Sequence, residues 1–236
     1  MKAVILAGGQ GRRLAPYTAV LPKPLMPIGD VPILEIVVRQ LKQAGFLEIT
    51  MAVGYLAELL MAYFGDGSKW GLRIHYSREE QPLGTAGPLR LVQGLDETFL
   101  AMNGDLLTNL DYRAMWEYHG SRGAIATMAT FRREVKIDLG VLDVDEGQWI
   151  RGYTEKPTFQ YLVSTGIYLF EPAVLEYIPR QERLDMPDLV LRLLAAGHRV
   201  SSYPFQGMWL DIGRPDDYER AVAEFEAHRV EFIPGE

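Results

Sequence analysis

Five apolar residues, Ala3 to Ala7, run straight into Gly8, Gly9 and Gly11 within "KAVILAGGQGRR". A continuous apolar run closed by glycine predicts a buried, parallel-type strand over Lys2 to Ala7. Glycines directly behind it free the backbone for positive φ and let its N–H groups approach a ligand closely. Successive N–H groups in such a turn form a concave anion site. Taken alone, the glycines fit either a tight turn or such a nest. Their spacing is not the dinucleotide fingerprint, because no helical pattern opens at once. It is not a Walker loop either, because no Gly-Lys-Ser/Thr follows.

The remaining pattern extends this start into an α/β chain. From Asp30, "DVPILEIVVRQLKQAG" predicts a helix with Asp30 as N-cap and Pro32 in the first turn. Ile33, Ile36, Val37, Leu41 and Ala44 share one face, and Gly45 closes it. "EITMAVGY" predicts a strand, "LAELLMAYFG" a helix and "RIHYSRE" a strand; a helix within "GTAGPLRLVQGL", for which Thr85 reads as the cap, and a strand in "TFLAMNGD" follow. Such alternation implies βαβ crossovers and a Rossmann-like, mainly parallel central sheet flanked by helices. Past about Asp111 the rhythm changes. A helix near Tyr112 to His119 precedes "GAIATMATF", "GVLDVD", "QWIRGYTEKP" and "YLVSTGIYLF", which predict mixed or antiparallel pairing. Helices return at "MPDLVLRLLAAG" and "RPDDYERAVAEFEAHR", with "RVSSYP" and "GMWLDIG" between them. No repeat or linker divides the chain, so a single domain over 1–236 is expected, with halves at 1–110 and 111–236.

Composition narrows the function. At 48% hydrophobic and 23% charged residues the chain has the balance of a folded protein rather than a disordered one. A net charge of −7 argues against nucleic-acid partners but leaves room for a local cationic pocket. With no cysteine, disulfides, thiolate nucleophiles and cysteine-ligated zinc are excluded. No apolar run is long enough for a signal peptide or a membrane span, so a cytoplasmic location without membrane partners is expected. None of His75, His119, His198 and His228 falls in a catalytic-looking motif.

Two cations follow the glycines. Arg13 lies two residues past Gly11, and Lys23 stands between Pro22 and Pro24. Proline restricts itself and the residue before it, which predicts extended backbone at Pro22 and Lys23. A cation on so stiff a segment stabilises phosphate charge without reorganising. Asp105 in "FLAMNGDLL" follows an apolar strand, where ligands of open α/β sheets gather. Asp211 in "GMWLDIGRPDDY" follows another. Either aspartate reads equally as a turn or cap residue, and neither spacing proves a metal site. Magnesium, however, needs only one or two carboxylates beside water and phosphate.

"LAGGQGRRLAPYTAVLPKPLMPIGDVPIL" resembles the signature of the sugar-1-phosphate nucleotidylyltransferases, G-G-x-G-[TS]-R-L-x-P-x-T followed by P-K-P. It matches at Gly8, Gly9, Gly11, Arg13, Leu14, Pro16, Thr18, Pro22, Lys23 and Pro24, and departs at Arg12, where threonine or serine is usual. A G-D motif at Asp105 and a W-x-D-x-G-x-P-x-x-Y motif through Trp209, Asp211, Gly213, Pro215 and Tyr218 extend the likeness over nearly the whole chain. The resemblance implies the nucleotide-diphospho-sugar transferase fold, with a nucleotide-binding first half and a sugar-binding second half. It also implies transfer of a nucleotidyl group from an NTP to a sugar 1-phosphate, releasing pyrophosphate. Arg13 and Lys23 would then be catalytic, and Asp105 and Asp211 would hold Mg2+. Leu6, Ala7, Gly8, Gly9, Gly11, Gln81, Gly84, Thr85, Asn103 and Gly104 would bind nucleotide. Gly140, Glu155, Lys156, Ser164, Thr165 and Gly166 would bind the sugar phosphate. Leu139 and Ser164 replace the usual tyrosine and asparagine.

The segment "PLGTAGPL" is similar to that of mannose-1-phosphate guanylyltransferases, which favours GTP and mannose or a related hexose or heptose. Uridylyl, thymidylyl or cytidylyl transfer stay open as alternatives, as does a silent regulatory subunit that senses nucleotide sugars. A glycosyltransferase would place a D-x-D metal motif on a strand end, and "DVD" at 143–145 reads better as a turn. A homodimer is compatible with the family, and no C-terminal β-helix is expected.

Overall fold

The computed structural model describes residues 1–233. Strand β1 (Lys2–Ala7) opens the chain. After the loop that follows it, β2 (Pro27–Ile28) and β3 (Val31–Pro32) form a small antiparallel ladder before α1 (Ile33–Gln43). Next come β4 (Glu48–Val53), α2 (Ala57–Phe64), β5 (Arg73–Arg78), β6 (Phe99–Asn103), β7 (Leu106–Thr108) and α3 (Tyr112–Arg122). The second half holds β8 (Ala126–Lys136), β9 (Val141–Val144), β10 (Ile150–Thr154), β11 (Thr158–Phe170), α4 (Met186–Ala195), β12 (Val200–Pro204), β13 (Trp209–Asp211), α5 (Pro215–Ala227) and α6 (Arg229–Phe232).

The central sheet has seven strands in the order β12-β8-β11-β6-β1-β4-β5. Only β11 runs against the others. Both faces are buried, because successive strand residues point to opposite sides. Ala3, Ile5 and Ala7 of β1 face Leu34, Val37, Leu41 and Phe64. Val4 faces the opposite layer with Phe99, Phe170, Leu189 and Leu193. The chain builds β1, β4 and β5 outward and then returns to set β6 on the other flank of β1. This reversal opens a crevice beyond the carboxyl ends of β1 and β6, where ligands of such sheets bind.

A third apolar cluster joins the two ends of the chain. Leu14, Ile28, Ile33 and Ile36 pack with Leu107, Ile212, Ala221, Phe225 and Phe232. This cluster seats α5 against the amino-terminal segment and pairs β13 antiparallel with β7. Among the described residues, no helix is long and apolar enough to cross a membrane.

Three local expectations are corrected. Asp30 does not cap α1: it sits in the β2–β3 turn beside Gly29 and pairs with Arg229 at 2.5 Å, while Pro32 precedes the first helical residue. The helix expected within "GTAGPLRLVQGL" is a 3-10 turn at Gly87–Leu91. Thr85 caps a different element: its Oγ1 accepts the Met186 N–H at 2.7 Å, and its own N–H donates to Asp185 Oδ1 at 3.0 Å. The base of α4 and the loop after β5 thus hold each other, although they lie 101 residues apart in the chain.

Phe225 is essentially inaccessible and lies 6.0 Å from Phe232 between ring centroids. Phe225→Ala is expected to cost about 3–5 kcal/mol, read as a lower urea midpoint with an unchanged denaturant slope.

Candidate active site

The loop after β1 is held by its own backbone. Gly11 takes φ +61°. Its carbonyl accepts both the Leu14 N–H and the Thr18 hydroxyl, each at 2.9 Å. A Cβ on Gly11 would come within 2.9 Å of Thr18 Cγ2 and 3.2 Å of Lys23 Cβ, so the glycine lets the loop fold back onto the lysine. Pro22 is extended as expected, but Lys23 opens a 3-10 turn over Lys23–Leu25. The Leu25 N–H bonds to the Pro22 carbonyl at 2.8 Å and the Met26 N–H to the Lys23 carbonyl at 3.0 Å, and these bonds outweigh the bias that Pro24 imposes.

Lys23 is buried to 7% exposure, and its ammonium forms an ion pair with Asp105 Oδ2. A buried ammonium without such a partner would be strongly unfavourable. Asp211 arrives from the other end of the chain. It stands across from Leu106 in the β13–β7 ladder, next to Asp105, and the Ile212 N–H bonds to the Asp105 carbonyl at 3.4 Å. Although Asp211 keeps solvent contact, crowding by the protein and the Asp105 charge hold its carboxyl above the ordinary carboxylate range, with Lys23 and Arg13 pulling the other way. A carboxyl raised by a neighbouring carboxylate shares one electrostatic site with it. Arg13 lies flat on the backbone of Gly213, where a Cβ would meet its guanidinium at 3.1–3.2 Å.

Lys23, Asp105, Arg13 and Gly213 border a cleft of about 880 Å³. Leu6, Ala7, Gly8, Gly9, Gly11, Arg13, Lys23, Gln81, Gly84, Thr85, Asn103 and Asp105 all line it. Gly104 does not, since its N–H donates into the sheet at Leu6 O, 3.0 Å away. A neighbouring hollow of about 610 Å³ takes Asp211, Trp209 and Arg214, and Arg13 and Gly213 border both cavities. The residues expected to hold the sugar phosphate line neither and fall into two groups. Ser164, Thr165 and Gly166 stand beside Asn103 and Trp209: a Cβ on Gly166 would meet Asn103 Nδ2 at 2.6 Å, and Trp209 Nε1 donates to Thr165 O at 2.9 Å. The Thr165 hydroxyl is buried and donates to Ala129 O. Gly140 and Glu155 meet on the β9–β10 hairpin, where Tyr153 packs on Gly140 and donates to Glu155 Oε2 at 2.9 Å. Lys156 is exposed just beyond β10, with φ +45°.

Tyr55, Glu79, Arg183 and Asp185 also line the cleft, none of them singled out from the sequence, and so does Arg12, the departure from the family signature. Arg183 and Asp185 come from the segment before α4 and carried no local signal. Asp145, the last residue of the "DVD" string, is a hairpin turn residue, accepting the Gly147 and Trp149 N–H groups.

The family model described as Nucleotidyl transferase matches residues 2–228. A UTP–glucose-1-phosphate uridylyltransferase of Synechocystis is 37% identical over 242 residues, which cover 94% of this chain and 62% of that protein. A mannose-1-phosphate guanylyltransferase of Mycobacterium tuberculosis is 34% identical over 230 residues, covering 94% and 64%. The chain therefore spans under two thirds of the length of these curated relatives. Among solved structures, a Bacillus anthracis protein described as a glucose-1-phosphate thymidylyltransferase, in complex with a sucrose, superposes with a TM-score of 0.76 at 27% identity, covering 94% of both chains.

Gly11→Ala is expected to destabilise the fold by about 1–3 kcal/mol, since alanine must hold a left-handed conformation against Thr18. Gly9 is the comparison, because a Cβ added there would meet nothing within 4 Å. Gly9→Ala should change stability by less than about 0.5 kcal/mol in the same thermal melt.

Proposed function

The chain belongs to the nucleotidyl transferase family, and on that premise we propose that it transfers a nucleotidyl group from an NTP to a sugar 1-phosphate. The reaction releases pyrophosphate and forms an NDP-sugar. The observation that carries this reading is the Lys23–Asp105 ion pair at the glycine-lined end of the cleft, with Asp211 beside it. Such a site serves phosphate chemistry and has no nucleophile of its own. None is needed, because the sugar phosphate supplies one. Its oxygen attacks the α-phosphorus of the NTP, a new P–O bond forms, and the bond from the α-phosphorus to the bridging oxygen breaks as pyrophosphate leaves.

The main obstacle is electrostatic. Two like charges 4 Å apart repel by about 1 kcal/mol in water and about 4 kcal/mol at an effective dielectric of 20. Two polyanions multiply that repulsion. Lys23 offsets charge at the α-phosphate, its ammonium already desolvated and aimed by Asp105. Arg13 and the backbone of Gly8 to Gly11 hold the leaving pyrophosphate. Lys156 turns the incoming phosphate into line, and Glu155 receives sugar hydroxyls.

The adjacent carboxylates of Asp105 and Asp211 fit a magnesium ion. They are hard oxygen donors, the Asp105 charge holds the Asp211 carboxyl up, and two suffice where phosphate and water complete the shell. When bound, the ion supplies positive charge at the reacting phosphate. GTP is the favoured nucleotide and mannose 1-phosphate or a related sugar phosphate the favoured acceptor, on the "PLGTAGPL" segment and the likeness to guanylyltransferases.

Lys23→Ala and Asp105→Asn should each lower turnover on the order of a hundredfold, read as pyrophosphate release. Chelation should stop the wild-type reaction and added Mg2+ restore it. Near-normal rates in either variant would remove these roles, and a grid of NTPs against sugar 1-phosphates tests the substrates.

A further inference from the structure

Gly140, Glu155 and Lys156, assigned above to the sugar phosphate, line neither cavity and sit at the base of the β9–β10 hairpin. This hairpin is a two-stranded sheet of its own, with neither outer edge paired to the central sheet. Such a hairpin is marginally stable in water unless another layer covers it. Its register sets Leu142 across from Tyr153 and Val144 across from Ile150, so all four side chains share one face. That face is open to solvent: Ile150 and Tyr153 are each 64% exposed, and Leu142 and Val144 about half. Trp149, just before β10, is 72% exposed. Open apolar faces of this kind mark interaction surfaces.

A second apolar strip lies on the ribbon formed by the end of β8 and the start of β11. Phe159 stands across from Val135 and Tyr161 across from Arg133, which places these four on one face. The three apolar ones are 37–54% exposed. Charge divides along the same line. Residues 138–150 hold four acidic side chains and no basic one, whereas 131–136 hold three basic and one acidic. Asp145 pairs with Arg151 at 2.6 Å and Lys136 with Asp138 at 3.1 Å, but Glu146 and Arg133 make no ion pair among the described residues.

Within one chain the two strips do not cover each other, since both stay exposed. A second copy related by a two-fold axis covers both at once. An isologous contact uses the same patch twice, each copy's hairpin lying on the other's ribbon. The acidic hairpin tip then meets the basic ribbon, the kind of complementarity that fixes register at an interface. A partner carrying charge of one sign matches only one of the two strips.

We propose that this protein forms a two-fold dimer in which the apolar face of the β9–β10 hairpin docks on the β8–β11 ribbon of a second copy. Docking also steadies the hairpin base, where the Tyr153 hydroxyl donates to Glu155 Oε2 at 2.9 Å, and so holds the carboxylate that receives the sugar. That last link rests on the nucleotidyl-transfer reading above; the interface itself does not.

Sedimentation of the full chain at micromolar concentration should give twice the mass of one chain. Ile150→Glu puts a charge into the contact on a side chain that the single chain leaves exposed. It should raise the dimer's dissociation constant by about a hundredfold or more, with the circular dichroism spectrum kept. Arg133→Glu should weaken the dimer as well, and Arg133→Glu combined with Glu146→Arg should restore it. The dissociated Ile150→Glu variant should show a raised KM for the sugar 1-phosphate and an unchanged KM for the NTP. A wild type that sediments as one chain, a dimer that survives Ile150→Glu, or a double variant that stays dissociated overturns the interface, whatever the chain turns over. A dimer without nucleotidyl transfer, or a dissociated variant with unaltered KM, supports the interface and removes only its link to the sugar.

Discussion

The site is organised by one ion pair. Lys23 is nearly inaccessible, and a buried ammonium is tolerated only with a charged partner at hand. Asp105 supplies it from a position 82 residues later in the chain. That pairing requires the loop after β1 to turn back on itself and requires β6 to lie directly beside β1. Gly11 permits the first and the strand order the second. Asp211 then adds a second carboxylate to a place that already holds one. The result is a site in which positive and negative groups are crowded together before any substrate arrives. A polyanionic substrate and a divalent ion would satisfy both sets at once.

The architecture explains why the second half of the chain matters to a cleft made mostly by the first. The third apolar cluster, around Phe225 and Ile212, sets β13 beside β7 and so delivers Asp211 to the side of Asp105 and Gly213 to the cleft. Gly213 offers a flat backbone surface against which the Arg13 guanidinium rests. The reciprocal bonds of Thr85 and Asp185 likewise tie the loop after β5 to the start of α4. Each wall of the cleft is therefore braced by residues distant in sequence, which suits the proposed reaction, where two charged substrates would be held in a fixed relation.

Much of this was legible from local pattern. The strand–glycine junction, the alternation of strands and helices, and the placement of Asp105 past a strand end depend on neighbours within a few residues, and the structure has them where the pattern puts them. The misses share a cause. Thr85 reads as a cap for the helix after it, yet caps α4. Asp30 reads as a cap for α1, yet pairs with Arg229. In both cases a local competence of the side chain was taken by a partner that no window of sequence contains. Glu79 carries no signal in the local pattern of "REEQ", and only the fold places it in the cleft, over Gly8 and Gly54.

By itself the sequence determined the chemistry on offer: a glycine turn, cations on a short stiff segment, and two aspartates at strand ends. These follow from backbone freedom, proline restriction and apolar periodicity, all of which act within a few residues. Only the tertiary structure decided which charges meet. Burial of both sheet faces sets the strand order, the strand order sets which loops share the crevice, and the crevice sets which carboxylates stand beside Lys23.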